Sequence, residues 1–161
     1  MSYSKNRVKY LQIYPDGIYI AMVRHPVSWL TSAKRYPVYR NLSYKQKMQS
    51  WERTVEGALG AKVMYPDNVM VFSLETLLEN TKEVMQRICE RLWLEFEQIL
   101  LVPTFNCKPV ESTSYFKESE LGVMDKRVLT RELKLTDDEE AYLNDVSSPL
   151  YERILPFSET V

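Results

Sequence analysis

Two stretches of the chain repeat one design, a proline-aspartate turn followed by an unbroken apolar run. Tyr14-Pro15-Asp16-Gly17 leads into Ile18-Tyr19-Ile20-Ala21-Met22-Val23, and Tyr65-Pro66-Asp67-Asn68 leads into Val69-Met70-Val71-Phe72-Ser73-Leu74. Proline presets the backbone of a turn, and a short apolar run bounded by turns reads as a strand. The first run has no polar alternation, which predicts a strand buried on both faces, as in a parallel sheet.

The segments around these runs carry helical spacing instead. Ser43 with Gln46 forms a capping box, and Tyr44, Met48, Trp51, Val55 and Leu59 then recur at helical intervals, predicting a helix long enough to cross over a sheet. After the second run, Asn80 with Glu83 predicts another capped helix. Its apolar stripe is Val84, Met85, Ile88, Cys89 and Leu92, which places Cys89 in the core. Thr136 with Glu139 repeats the capping box ahead of Ala141, Tyr142 and Val146, predicting a last amphipathic helix. Strands alternating with helices point to an α/β layered domain on a parallel sheet, and 161 residues without repeats or low-complexity tracts fit a single domain over 1–161.

Composition mainly excludes. With 21 basic and 22 acidic residues and a net charge of -1, the chain has no global pull toward nucleic acid or an anionic membrane. Lys5, Arg7 and Lys9, or Lys34, Arg35 and Arg40, form modest basic clusters of the kind found on solvated faces. Cys89 and Cys107 are too few for a disulfide framework, and His25 is the single histidine, so zinc or iron chemistry is not expected. Met1-Ser2-Tyr3-Ser4-Lys5 opens no apolar stretch of signal-peptide length and no run reaches membrane-spanning length, so the expectation is a soluble, cytoplasmic protein.

The chemistry-bearing segment begins where the first strand ends. Arg24 closes the strand, and Pro26 suits the first turn of a helix because its missing amide hydrogen would be unpaired there anyway. Ligands gather at the carboxyl ends of strands in open α/β sheets, and helix amino termini favour anions. On a helix from Pro26, Ser28, Ser32 and Arg35 share one face, offering hydroxyls and a planar guanidinium suited to a phosphate monoester. Taken alone, such an arginine more often pairs with a carboxylate and such serines face solvent. His25 fits a capping or solvent-exposed position better than a general base.

Arg24-His25-Pro26-Val27-Ser28-Trp29-Leu30-Thr31-Ser32 resembles the 3′-phosphate-binding segment of sulfotransferases that use 3′-phosphoadenosine 5′-phosphosulfate, which has Arg, a variable residue, Pro, and Ser eight positions after the Arg. Three further segments are similar to family segments in the same order. Phe72-Ser73-Leu74-Glu75-Thr76-Leu77-Leu78 looks like the strand ending in Tyr-Glu-Asp-Leu; Pro103-Thr104-Phe105-Asn106-Cys107-Lys108-Pro109, followed by Ser112-Thr113-Ser114-Tyr115-Phe116, is similar to Pro-Thr-Phe-Asn-Gly; and Leu121-Gly122-Val123-Met124-Asp125 precedes the last helix. The resemblance implies a three-layer parallel sheet with flanking helices, the fold related to the P-loop nucleoside triphosphatases. It implies that Arg24 and Ser32 hold the 3′-phosphate, that Glu75 is structural, and that Ser114 and Arg127, which fit plain surface positions equally well, are further donors.

The departures from the family pattern carry their own expectations. Cys107 replaces the usual glycine, so its loop is expected to avoid positive backbone angles, and Tyr115 stands where a second serine is common. With Gly17, Gly57, Gly60 and Gly122 as the only glycines, the chain has no glycine loop followed by Lys-Ser or Lys-Thr, and a kinase of related fold ranks last. In the family the phosphosulfate loop and the catalytic base lie upstream of the Arg24 strand. The chain is therefore expected to lack the first strand and that loop, as a fragment, half of a split enzyme or a degenerate relative, and no catalytic residue is assigned. A missing strand would leave an apolar sheet edge for a second copy or another chain to cover. A non-catalytic nucleotide-binding or scaffold protein is the alternative to the enzyme. The acceptor, a small molecule, carbohydrate or lipid bearing a hydroxyl or amine, is not legible, although Tyr36, Tyr39, Tyr44 and Trp51 fit either its lining or the core.

Overall fold

The two apolar runs pair as predicted. In the computed structural model, which describes residues 10–111, 120–124, 126–130 and 134–159, β1 (Tyr19–Val23) lies parallel to β2 (Val69–Ser73), with Tyr19 opposite Val69 and Val23 opposite Ser73. The turns before the strands are tied together, because the Asn68 side-chain amide donates to Pro15 O (2.8 Å) and Gly17 O (3.0 Å). The repeated Tyr-Pro-Asp turns thus sit side by side and set the register.

A parallel pair needs a crossover, supplied by α1 (Pro26–Ala33) and α2 (Tyr44–Met64). The Ser43 capping box forms in full: Gln46 N–H donates to Ser43 Oγ (3.3 Å) and Ser43 N–H to Gln46 Oε1 (2.9 Å). At 21 residues, α2 spans about 30 Å at 1.5 Å per residue. It buries Met48, Trp51, Val55, Ala58 and Ala61 against Ala21 and Val23 of β1 and Val69 and Val71 of β2. Met48 and Val55 are 0% and 1% exposed, and burying such side chains contributes ~1.5–3 kcal/mol each. Lys62, near the end of α2, donates to Pro66 O (2.9 Å) and Val69 O (2.7 Å), anchoring the helix to the start of β2.

The chain forms two compact units, Met1–Leu74 with Leu133–Thr160, and Glu75–Glu132 with Val161. The first unit is completed by α6 (Asp137–Tyr142), a π-helical turn (Leu143–Ser147) and α7 (Ser148–Ile154), which add Leu143, Leu150 and Ile154 to the core. The predicted Thr136–Glu139 capping box is present, but the predicted stripe is not the buried one. Ala141 and Val146 are exposed, while Glu139, Leu143 and Ser147 face inward. Glu139 wins its place through a cation: it accepts from Lys34 Nζ at the end of α1 and from Thr136 N–H (2.9 Å).

The expectation that the first strand is buried on both faces is corrected. Ala21 and Val23 face the core, but Ile20 and Met22 are 37% and 41% exposed, because the helices of this unit join the core through the Ala21 and Val23 face. β2 is buried along its whole length. Its outer edge pairs with the chain's end through a parallel bridge between Val71 and Ser158, reinforced by Glu159 N–H to Val71 O (2.8 Å). Among the described residues, the outer edge of β1 has no strand partner.

The second unit holds α3 (Leu74–Glu79), α4 (Thr81–Leu92), a hairpin of β3 (Thr104–Phe105) and β4 (Lys108–Pro109), and the short α5 (Arg127–Thr130). Val84 and Cys89 of α4 are buried, as the stripe predicted. Asn80 occupies the N-cap position without a side-chain cap bond, since its N–H closes α3 on Thr76 O and its backbone (φ -124°, ψ 48°) is not the extended form a capping side chain needs. The expectation for Cys107 is overturned as well. Asn106 and Cys107 have φ of 50° and 60°, the double left-handed conformation of a two-residue type I′ hairpin, whose twist matches its strands. Hairpin geometry overrides residue preference here. Gly122, at φ 73°, lets the following segment close on the hairpin, where a Cβ would meet Pro109 Cβ at 3.1 Å.

Two outcomes follow for stability. Cys107→Gly relieves a side chain held at positive φ and should stabilise the protein by about 1 kcal/mol in urea denaturation, a loss instead showing that the thiol packs favourably. For Glu139, burial raises the pKa, but the Lys34 hydrogen bond, the Thr136 amide and the Lys34 charge outweigh it and hold the carboxyl below its ordinary 4.5. A depressed carboxylate stabilises the fold above its unfolded pKa and loses that stabilisation as pH falls through the folded value. Glu139→Gln should therefore cost about 1 kcal/mol at pH 7, the pair being partly solvent-screened, with the gap to the parent closing in acid.

Candidate functional site

Strand β1 delivers Arg24 to the carboxyl end of the sheet, and His25 (φ -52°, ψ 131°) turns the chain into α1 with Pro26 in its first turn. The first intrahelical bond runs from Trp29 N–H to His25 O (2.9 Å). The Val27 and Ser28 amides precede it, in the stretch where helices leave donors without an intrahelical acceptor. No acidic residue stands in this first turn to occupy them. The half-buried Arg24 folds along the helix, its Nε donating to Oγ of the buried Ser28 (2.8 Å). Charge, amide donors and hydroxyl thus share one helix entrance, an arrangement that attracts an anion.

The crossover helix holds this turn in place. Trp51 Nε1 donates to Arg24 O (3.0 Å), so the carbonyl that ends the strand is bonded to α2. Tyr151 of α7 packs between, edge-on to the His25 ring at 5.2 Å and tilted against Trp51 at 6.3 Å. His25 holds the N-cap position without a side-chain cap bond, so its expected capping role is replaced by ring packing.

Of the residues marked in the sequence, Arg24 and Ser32 belong to this junction. Ser32 is half-buried one turn beyond Ser28, and its hydroxyl bonds to no described residue. Arg35, placed on the same stripe by sequence, lies beyond the end of α1 at Ala33 and is exposed. Ser114 lies outside the described residues, and Arg127 begins α5 in the second unit with its side chain exposed. The aromatic candidates divide: Tyr36 is 44% exposed, Tyr39 packs edge-on against Trp29, Tyr44 against Tyr142, and Trp51 is core. Ser28 as the partner of Arg24, and Tyr151 as the packing partner of His25, are contacts that sequence reading missed. Ser28 was visible on the helical stripe; nothing local marked Tyr151.

A parallel α/β unit with a guanidinium at its strand end and a helix entrance without a side-chain cap has the layout in which open α/β sheets gather ligands. The chain belongs to the sulfotransferase family, whose model matches residues 2–98. Among solved structures it is similar to the sulfotransferase domain from the curacin biosynthetic pathway, with a TM-score of 0.57 and 20% identity over 81% of this chain and 53% of that one. It is also similar to the sulfotransferase domain of the Synechococcus PCC 7002 olefin synthase, with a TM-score of 0.52 and 16% identity over 89% of this chain and 50% of that one. The chain spans about half the length of these domains, and at such identities the likeness concerns the fold. A search of curated proteins found no match. Among the described residues, no helix is long and apolar enough to cross a membrane.

The bond from Trp51 to the strand-end carbonyl has a measurable role. Trp51→Phe keeps most of the packing but leaves Arg24 O without its indole donor, and should cost about 1–3 kcal/mol in thermal or urea unfolding. A cost near zero would mean that water replaces the indole.

Proposed function

We propose that this chain carries the nucleotide 3′-phosphate site of a cytoplasmic sulfotransferase, which moves a sulfuryl group from 3′-phosphoadenosine 5′-phosphosulfate to a hydroxyl or amine acceptor. The observation that carries this reading is the Arg24–Ser28 pair at an acid-free helix entrance, within the segment that resembles the family's 3′-phosphate site. In this reading the 3′-phosphate sits at the entrance of α1, with the Arg24 charge, the first-turn amides and the Ser32 hydroxyl as its donors. The junction orients the nucleotide. In the transfer itself, the acceptor oxygen or nitrogen bonds to sulfur as the bond from sulfur to the 5′-phosphate oxygen breaks. The acceptor proton passes to a base, and 3′-phosphoadenosine 5′-phosphate leaves.

The base and the donors for the phosphosulfate are not assigned to residues of this chain. We place them on polypeptide that adds to the outer edge of β1. The exposed Ile20 and Met22 and the missing strand partner support that placement, as do solved relatives of about twice the length. A second reading, a nucleotide-binding protein without catalysis, draws support from the absence of any glycine-lysine phosphate loop in the sequence.

Calorimetric titration tests the site directly. The chain should bind 3′-phosphoadenosine 5′-phosphate, and Arg24→Ala should weaken that binding by about tenfold or more, as expected for a charge-assisted phosphate contact. Adenosine 5′-phosphate, which lacks the 3′-phosphate, should bind as weakly to the parent as to the variant. Absence of nucleotide binding, or equal loss for both ligands, would remove the 3′-phosphate assignment. Sulfuryl transfer from labelled donor by the chain alone would favour the enzyme over the binding protein.

A further inference from the structure

Away from the Arg24 junction, Glu52 and Glu56 stand one turn apart on α2 and, with Val146, Pro149, Leu150 and Arg153, line a cleft of about 180 Å³. Its walls carry opposite charge: two carboxylates on α2, a guanidinium on α7, and an apolar surface from Val146, Pro149 and Leu150 between them. Among the described residues no ion pair within 4.0 Å joins Arg153 to either glutamate, and Glu56 and Arg153 have no other ionic partner.

Glu52 is built into position by neutral groups. Its Oε1 accepts from the fully buried Ser147 hydroxyl (2.9 Å) and its Oε2 from the Tyr142 hydroxyl (3.4 Å). Burial, then the Glu52 charge, push the Tyr142 phenol up from its ordinary value, so it remains a donor. Two hydroxyls orient this carboxylate, and among the described residues no cation pairs with it within 4.0 Å. Ser147 and Val146 both belong to the π-helical turn Leu143–Ser147, which sends one side chain to Glu52 and the next onto the cleft wall. Such turns are rare and gather at functional sites.

We propose that this cleft binds a small zwitterion of the α-amino acid class, its ammonium on Glu52 and Glu56, its carboxylate on Arg153 and its aliphatic side chain on Val146, Pro149 and Leu150. Size and charge select this class. The cleft is smaller than the roughly 300 Å³ at which pockets for drug-sized ligands begin. A simple cation would leave Arg153 facing it, and a simple anion would face two carboxylates. Only a molecule with both charges matches both walls.

The test uses the intact chain with three probes in calorimetric or nuclear magnetic resonance titrations: L-leucine, L-leucinamide, which keeps only the ammonium, and N-acetyl-L-leucine, which keeps only the carboxylate. Leucine should bind saturably, and each capped analogue should bind about tenfold more weakly for its lost charged contact. Glu56→Gln should weaken leucine about tenfold while leaving N-acetyl-leucine unchanged, and Arg153→Gln should weaken leucine by about the same factor while leaving leucinamide unchanged. Both residues are exposed, so unchanged circular dichroism and melting temperature should accompany these losses. The proposal is overturned by no saturable leucine binding, by either capped analogue binding as tightly as leucine, or by leucine affinity indifferent to both substitutions.

Discussion

Parallel pairing of β1 with β2 is the constraint from which the rest of the first unit follows. Two strands running the same way cannot be joined by a hairpin, so the chain must travel back across the sheet. Here that return path is α1, the 37–39 turn and α2. The path begins where β1 ends, so an arginine just after the last strand residue, Val23, meets the entrance of a helix. The Trp51 bond to Arg24 O then ties the first half of α2 to the beginning of the crossover. The proposed anion site is in this sense a by-product of sheet topology, on which Arg24, Pro26 and Ser28 are placed.

Electrostatics divide α1 into two ends with different tasks. At its entrance no acidic residue competes for the first-turn amides, and Arg24 adds positive charge to the positive end of the helix dipole. An anion placed at that entrance would be favoured by both. The other end is satisfied internally: Lys34 lies at the negative end of the dipole and pairs with Glu139, which also caps α6. Stabilising one end firmly allows the other to remain open without loss of position, the condition for a preorganised site. The π-helical turn plays a related part further along, since Ser147 links α2 to the last helices through Glu52.

Much of this was legible in the residues because the information was local. Both capping boxes, the two turn-strand runs and the long crossover helix depend on side chains within a few positions of one another, and they formed as read. Where the reading failed, a non-local partner or a competing local geometry had decided. Asn80 reads as a cap until the preceding helix claims its N–H. Cys107 reads as incompatible with positive φ until a two-residue hairpin demands it. Ile20 and Met22 read as core because apolarity says what a side chain prefers, and whether a covering layer exists is settled elsewhere in the molecule.

The candidate site divides along the same line. Residue type and spacing placed Arg24, Pro26, Ser28 and Ser32 at a strand end, a helix start and one helical face, which are properties of consecutive residues, and the resemblance made them a candidate site. The sequence also carried the resemblance to the sulfotransferases that the family match bears out. Tertiary structure alone determined that the Arg24 carbonyl is held by Trp51, and that His25 packs on Tyr151 from a helix more than a hundred positions away. Hydrogen bonds and ring contacts between distant segments depend on how helices settle against a sheet, and no local pattern encodes that packing. The chain announces a helix entrance beside an arginine; the fold supplies the supports that hold it in place.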